Sequence, residues 1–127
     1  MGILANARPV GIICVRKRER AKAFYRDVLG LTLAREDPFA AIFEAGGVSI
    51  RVSTVPDFTP HAHTVMGFVV PEIEGAVEAL GKNGVAFNRY PGFKQDERGI
   101  WTSPDQAARV AWFSDPDGNV LSVTQLS

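Results

Sequence analysis

The sequence predicts an α+β fold of two tandem β-α-β-β-β modules, whose curved mixed sheets enclose a cavity. A strand–helix unit recurs after about fifty-five residues, each helix ends at a glycine, and three strand candidates follow each helix. Since one helix covers only one face of a four-stranded sheet, the other face must meet a second module or enclose a cavity. We place module one at about residues 8–54, the linker at 55–62 and module two at about 63–126, within one domain of 127 residues.

Module one begins with a short apolar strand, Val10–Val15. The next segment has the apolar spacing of a helix that buries one stripe. That stripe consists of Ala21, Phe24, Tyr25, Val28 and Leu29. Gly30 suits the left-handed conformation that often ends a helix. Three strands are then predicted, with Gly46-Gly47 as the hairpin turn between the last two. They are Leu31–Arg35, Ala40–Glu44 and Val48–Ser53.

Module two repeats this plan, with the strand Met66–Val70 and a helix that ends at Gly84. The apolar stripe of this helix consists of Ile73, Ala76, Val77 and Leu80. Its three further strands are predicted at Val85–Tyr90, Arg109–Ser114 and Val120–Gln125. The segment Asp115–Asn119 is predicted to be a turn, and Pro91–Ala108 a long insertion. Loops of this length often cover a binding site, so we expect the insertion to gate access.

Composition excludes several classes of protein. The chain is 46% hydrophobic and 22% charged, and its net charge is zero. These values argue against long disordered segments and against a nucleic-acid partner. Cys14 is the single cysteine, so neither an internal disulfide nor a multi-cysteine metal site is possible. No stretch resembles a signal peptide or a membrane span, so we expect a cytoplasmic protein without a membrane partner.

Two segments together carry a family resemblance. Ala23–Leu31, paired with Phe113–Leu121, resembles the vicinal oxygen chelate superfamily, which includes glyoxalase I, bleomycin-resistance proteins and extradiol dioxygenases. The resemblance runs from about Pro9 to Gln125. It implies the fold predicted above more strongly than it implies one chemistry, because both segments are mostly structural.

The resemblance also implies where a metal would bind. Enzymes of this superfamily hold a divalent metal with four His, Gln or Glu side chains from the first and last strands of each module. Alignment on the two motifs places these positions at Val10, at or beside Arg51, at Val65 and at Ser122. Valine has no lone pair, and a guanidinium is itself a cation, so none of the four is a normal ligand. We therefore expect a member of the superfamily with no metal and no cofactor.

Arg51 is a candidate anchor for an anionic ligand. Alternation along Val48–Ser53 places Ser49, Arg51 and Ser53 on the cavity side and the intervening apolar residues against the helix. A buried guanidinium needs an anionic or strongly hydrogen-bonding partner. That partner is either a ligand carboxylate or phosphate, or a protein carboxylate such as Glu44.

Other candidates have both a structural and a functional interpretation. Cys14 is expected on the cavity side of its strand, where a buried and unreactive thiol is favoured over a nucleophile. His61 and His63 are either polar residues at the end of the linker or a displaced two-ligand metal site. The aromatic residues Tyr90, Trp101 and Trp112 belong either to the core or to the wall of a pocket.

The resemblance and these residues together predict a metal-independent small-molecule-binding protein of the bleomycin-resistance type. Its ligand is expected to be anionic or aromatic, and the protein a homodimer. The predicted ligand-binding residues are Arg51, Cys14, His63, Tyr90, Trp101, Trp112 and Ser122. One alternative is a lyase, isomerase or dioxygenase with a displaced metal site or none, for example with Glu44 and Tyr90 as an acid–base pair. Another is a subunit whose cavity is filled by side chains.

Overall fold

A computed structural model of the chain describes residues 2–127. The chain divides into two compact units, the first ending at Phe58 and the second beginning at Thr59. Each unit contains one four-stranded mixed sheet and helical structure between its first and second strands. The predicted α+β fold class with two β-α-β-β-β modules is therefore confirmed.

In the first unit, the strand order is β1-β4-β3-β2. Its strands are β1 (Val10–Val15), β2 (Thr32–Glu36), β3 (Ala40–Ala45) and β4 (Val48–Thr54). Strand β1 runs parallel to β4, and the other neighbours are antiparallel. Burial alternates along β4 as predicted, with Ile50 and Val52 in the core and Arg51 between them half-buried. The core also contains Ile13, Val15, Ala21, Tyr25 and Phe43.

The helix of the first unit changes type along its length. An α-helical part, α1 (Arg18–Ala23), continues into a π-helical turn at Phe24–Val28. The N–H of Leu29 donates to the carbonyl of Phe24 at 3.0 Å, which is the wider π pattern. Gly30 follows with φ of 79°, the left-handed conformation expected at this helix end.

In the second unit, the strand order is β5-β8-β7-β6. Its strands are β5 (Thr64–Val69), β6 (Trp101–Thr102), β7 (Ala108–Ser114) and β8 (Val120–Leu126), and its helix is α2 (Ile73–Lys82). The Glu72 side chain caps α2 by accepting the N–H of Gly75 at 2.9 Å. Gly84 follows the helix with φ of 96°. The Asp115 carboxylate organises the β7–β8 turn by accepting the N–H groups of Asp117 and Asn119.

The predicted strand Val85–Tyr90 is wrong. Only Phe87 pairs there, through an isolated bridge to Phe113, and the fourth strand of the sheet is β6, inside the predicted insertion. The chain leaves the ladder because the N–H of Tyr90 donates to the Gln95 side chain at 2.8 Å instead of to a strand. Pro91, which follows, has no N–H to offer. The other predicted strands are present, and their ends differ from the predicted ones by at most two residues.

The helix α2 has ten residues. No helix within residues 2–127 is long and apolar enough to cross a membrane.

Candidate functional site

The second sheet has one face against its helix and one face away from it. The N–H of Ile73, at the start of α2, donates to the Gln125 side chain at 2.8 Å, so Gln125 lies on the helix side. Leu121 and Val123 share that side because side chains alternate along a strand, and both are buried. The opposite side, here called the open face, therefore carries Ser122 and its cross-strand neighbour Trp112.

Four aromatic residues on or above the open face form one group, here called the aromatic cluster. It consists of Tyr90, Phe93, Trp101 and Trp112. The Phe93 ring stacks on Trp101, with centroids 5.6 Å apart and planes 28° apart. Tyr90 and Trp112 form a T-shaped pair with centroids 5.6 Å apart and planes at 85°, and the centroids of the two tryptophans lie 6.1 Å apart. These separations and angles are typical of favourable aromatic pairs.

Hydrogen bonds from one side chain hold the loop that carries Tyr90 and Phe93. The Gln95 Oε1 accepts the N–H of Tyr90, and its Nε2 donates to the carbonyls of Asn88 at 2.9 Å and Gly99 at 3.0 Å. The Asp96 carboxylate in addition accepts the N–H groups of Arg98 and Ile100, both at 2.9 Å. The loop is therefore internally braced, and these bonds give no support to the expected gating role.

Two open clefts adjoin the aromatic cluster. The larger has a volume of about 470 Å³. It is lined by Ala62, His63, Thr64, Tyr90, Pro91, Phe93, Trp112 and Val120. The smaller, of about 330 Å³, is lined by Arg89, Tyr90, Pro91, Phe93 and Gln95. Tyr90, Pro91 and Phe93 line both clefts, so one short segment of the loop forms a shared wall.

The structure brings several predicted site residues together in the second unit. His63, Tyr90 and Trp112 line the larger cleft, and Trp101 belongs to the aromatic cluster. Ser122 lies on the same face but is only 6% exposed, and a Cβ on Gly67 would lie 2.9 Å from its Oγ. The Ser122 side chain is thus packed within the sheet and exposes little surface. Whether any of these residues binds a ligand stays a prediction.

Sequence reasoning missed Phe93, Arg89 and Gln95. Phe93 and Gln95 lie in the segment predicted as an insertion, which has no periodicity that fixes side-chain directions, and Arg89 lies in the segment wrongly predicted as a strand. The one available signal was composition, since Tyr90-Pro91-Gly92-Phe93 combines two aromatic residues with turn residues. Phe93 is 48% exposed and lines both clefts.

Arg51 lies in the first unit and forms an ion pair. Its Nη2 lies 2.9 Å from the Asp37 Oδ2, with the two side chains 31% and 34% exposed. The partner is a protein carboxylate, as one of the two alternatives predicted, but the suggested residue Glu44 is wrong, because Glu44 lies opposite Ser49 while Arg51 lies opposite Ile42. A partly exposed pair of this kind contributes little to stability, because solvent screens the two charges.

Asp37 is the better-anchored member of that pair. Its Oδ1 accepts the N–H groups of Phe39 and Ala40, both at 2.8 Å. The N–H of Phe39 and then the Arg51 guanidinium hold the pKa of the Asp37 carboxyl below its usual value. The positive charge of Arg51 is therefore matched by an ionised carboxylate inside the protein.

Cys14 also belongs to the first unit. It lies opposite Ser53, and Ile12 lies opposite Arg51, so the predicted common face of these strands is observed. The thiol is half-buried, where the sequence favoured a fully buried one. Neither Cys14 nor Arg51 lines the two clefts of the second unit.

The residues at the four expected metal positions do not fit a divalent metal. Val10 and Val65 have no donor atoms, Arg51 is a cation paired with Asp37, and Ser122 is a single hydroxyl. Within residues 2–127, no group of three or more His, Cys, Asp or Glu side chains could hold a metal ion. The exposed rings of His61 and His63 stack, with centroids 5.2 Å apart and planes 23° apart.

Comparison with known proteins gives a consistent result. A family model described as the Glyoxalase/Bleomycin resistance protein/Dioxygenase superfamily matches residues 8–123. No match was found among curated proteins. Among solved structures, a protein from Bacillus anthracis assigned to the glyoxalase family has a TM-score of 0.78 at 18% identity, with both chains fully covered.

Two further solved structures share the fold. TnmS3, an antibiotic binding protein from Streptomyces sp. CB03234, has a TM-score of 0.76 at 23% identity, covering 99% of this chain and 100% of that one. A glyoxalase/bleomycin resistance protein/dioxygenase from Alicyclobacillus acidocaldarius has a TM-score of 0.70 at 16% identity, covering 95% and 92%. Identities this low show a common fold and nothing finer.

Proposed function

Because the chain belongs to the glyoxalase/bleomycin resistance protein/dioxygenase superfamily, we propose that it is a small-molecule-binding protein that holds an aromatic ligand on the aromatic cluster without a metal. The observation that carries the proposal is the cleft of about 470 Å³ bordered by Tyr90, Phe93 and Trp112. Binding sites for small molecules are commonly concave, apolar and aromatic, with few polar groups.

The cleft favours an aromatic ligand over an anion held by Arg51. The rings of the cluster present faces and edges on which a planar ligand can stack, each such contact contributing about 0.5–1.5 kcal/mol beyond area burial. The Arg51 charge, by contrast, is already matched by Asp37. An anionic ligand there would have to compete with an ion pair that is already formed.

Metal independence is the second part of the proposal. The superfamily fold alone does not decide the chemistry, so the side chains at the expected metal positions must decide it. Two valines, an arginine and a serine do not form a metal-binding set. TnmS3 supports a binding role by analogy, as an antibiotic binding protein with the same fold.

We propose further that the protein is cytoplasmic and forms a homodimer. Exposed apolar side chains at Val10 and Ile12, on strand β1 at the edge of the first sheet, support an association between copies. Light scattering coupled to size-exclusion chromatography measures the mass directly. A monomer at micromolar concentration would remove this part of the proposal.

The first experiment measures metal content and its effect. Elemental analysis of the tag-free protein, with thermal melts in the presence of Ni, Zn, Mn and Fe(II), should give near-zero metal and no shift. About one metal per chain with clear stabilisation would contradict the proposal. The enzyme alternative would then lead, and His61 and His63 would be the first residues to change.

The second experiment measures binding of a neutral planar probe, 2-naphthamide, by ligand-detected NMR. We expect Trp112→Ala to weaken binding at least about tenfold, because a large part of the stacking surface is removed. Phe39→Ala is the matched control, since Phe39 is an aromatic residue of the first unit that is 73% exposed. Equal affinities in the two variants would show that the aromatic cluster is not the binding surface.

A further inference from the structure

From the geometry around Arg89, and on the basis of the proposed function, we infer that the ligand is an aromatic carboxylate. Its ring would lie on the aromatic cluster, and its carboxylate would meet the Arg89 guanidinium. Arg89 lines the smaller cleft together with Tyr90, Pro91, Phe93 and Gln95. The proposed site would thus bind an aromatic carboxylate, and Arg89 would hold the ligand in addition to the aromatic rings.

The Arg89 guanidinium is held in place by neutral partners. Its Nη1 donates to the carbonyl of Asp96, and its Nη2 donates to the carbonyl of Glu97 at 2.6 Å. Two fixed hydrogen bonds orient the planar group while leaving other N–H donors of its five for a ligand. The cost of ordering a long side chain is thus met before a ligand arrives.

The charge on Arg89 differs from that on Arg51 in having no matching anion. Among the side chains of residues 2–127, no carboxylate forms an ion pair with Arg89, whereas Asp37 lies 2.9 Å from Arg51. Backbone carbonyls satisfy hydrogen bonds but do not cancel a charge. Arg89 is consequently an oriented cation, and a carboxylate is the group whose two oxygens match a guanidinium.

The smaller cleft brings the Arg89 guanidinium together with aromatic rings in one site. Tyr90, Pro91 and Phe93 line both the larger cleft and the smaller cleft that contains Arg89. A molecule that stacks on Phe93 within the smaller cleft therefore lies beside Arg89. His63, which lines the larger cleft alone, is the competing candidate for an anion contact.

The test compares 2-naphthoate with 2-naphthamide, which share a ring and differ in charge. In ligand-detected NMR titrations at low salt, the wild type should bind the carboxylate about fivefold more tightly than the amide. The ratio of the affinity for 2-naphthoate to that for 2-naphthamide should fall towards one at about 0.5 M salt, because salt screens an exposed ion pair. Arg89→Gln should abolish the ratio by weakening the binding of 2-naphthoate more than that of 2-naphthamide.

Control variants distinguish a direct contact between Arg89 and the ligand from a role of Arg89 in holding the loop. Arg98→Gln removes an exposed charge from the same loop and should keep the ratio, as should His63→Gln. Arg89→Lys retains the charge without the planar fork and should keep part of the ratio. If Arg89→Gln loses affinity for both probes equally, the inference is overturned, because Arg89 then only positions the loop.

Other outcomes distinguish this inference from the proposal on which it rests. If the wild type binds both probes equally, or if His63→Gln rather than Arg89→Gln abolishes the ratio, Arg89 is not the anchor and aromatic binding still stands. If the wild type binds neither probe, the proposed aromatic binding fails as well.

Discussion

Replacing Gln95 by alanine should loosen the loop that carries half of the aromatic cluster. The substitution removes three hydrogen bonds, to the N–H of Tyr90 and to the carbonyls of Asn88 and Gly99. A typical hydrogen bond contributes about 1 kcal/mol net, and water can replace part of that at a half-buried side chain. We therefore expect the free energy of unfolding to fall by about 2 kcal/mol, which corresponds to a Tm lower by roughly 6–10 °C.

Urea denaturation followed by far-UV circular dichroism measures this loss, and hydrogen exchange of the Tyr90 amide locates it. Gln95→Glu keeps the acceptor for Tyr90 but directs an oxygen at two carbonyls, so it should be destabilised at least as much at pH 7. Glu97→Ala, an exposed side chain in the same loop, should change stability by less than about 0.5 kcal/mol. A loss below that value in Gln95→Ala would refute the claim that this side chain braces the loop.

Two further predictions concern the sheets. Gly67→Ala places a Cβ 2.9 Å from the Ser122 Oγ and should cost about 1 kcal/mol in a urea titration. In the Ser122→Ala background the same change should cost less, and strict additivity would be evidence against the contact. Asp37→Asn should lower stability at pH 7, because the folded state holds the pKa of Asp37 below its usual value. The wild-type contribution is complete above the unfolded pKa and is lost as pH falls through the lower folded pKa, so the difference should shrink below about pH 4. A constant difference from pH 7 to pH 3 would contradict this assignment.

Most of the fold is predictable from the sequence because its determinants are local. Gly30 and Gly84 take the left-handed conformations that their positions at helix ends require, and Gly46-Gly47 forms the hairpin turn. Alternation along Val48–Thr54 distinguishes the residues that enter the core of the first unit from those on the opposite side of its sheet. Each of these signals depends only on a few neighbouring residues.

The errors arise where particular side-chain hydrogen bonds or the cross-strand register decide the outcome. Val85–Tyr90 has a composition that suits a strand, but side-chain hydrogen bonds from Gln95 take its backbone out of the ladder. The partner of Arg51 depends on cross-strand register, which places Ile42 rather than Glu44 opposite it. Strand β2 begins one residue later than predicted, and it follows a π turn, which contains one residue more than an α turn.

The candidate site is predictable in part for the same reason. Trp112 can be assigned to the open face because β7 is regular, and His63 and Tyr90 are plausible from residue type. Phe93 and Arg89 lie in an irregular loop, where no periodicity relates sequence position to side-chain direction. The resemblance to a family does not supply them either, because its motifs are the helix and the turn.

The tryptophans of the aromatic cluster give a fluorescence signal that comes from one unit of the protein. The chain has two tryptophans, and both lie in the second unit, 6.1 Å apart. Selectively excited tryptophan emission therefore reports on the second unit alone, since the first unit contains Tyr25 but no tryptophan. An emission transition that coincides with the loss of total secondary structure would mean that the two units unfold together. Two separate transitions would mean that each unit has a stability of its own.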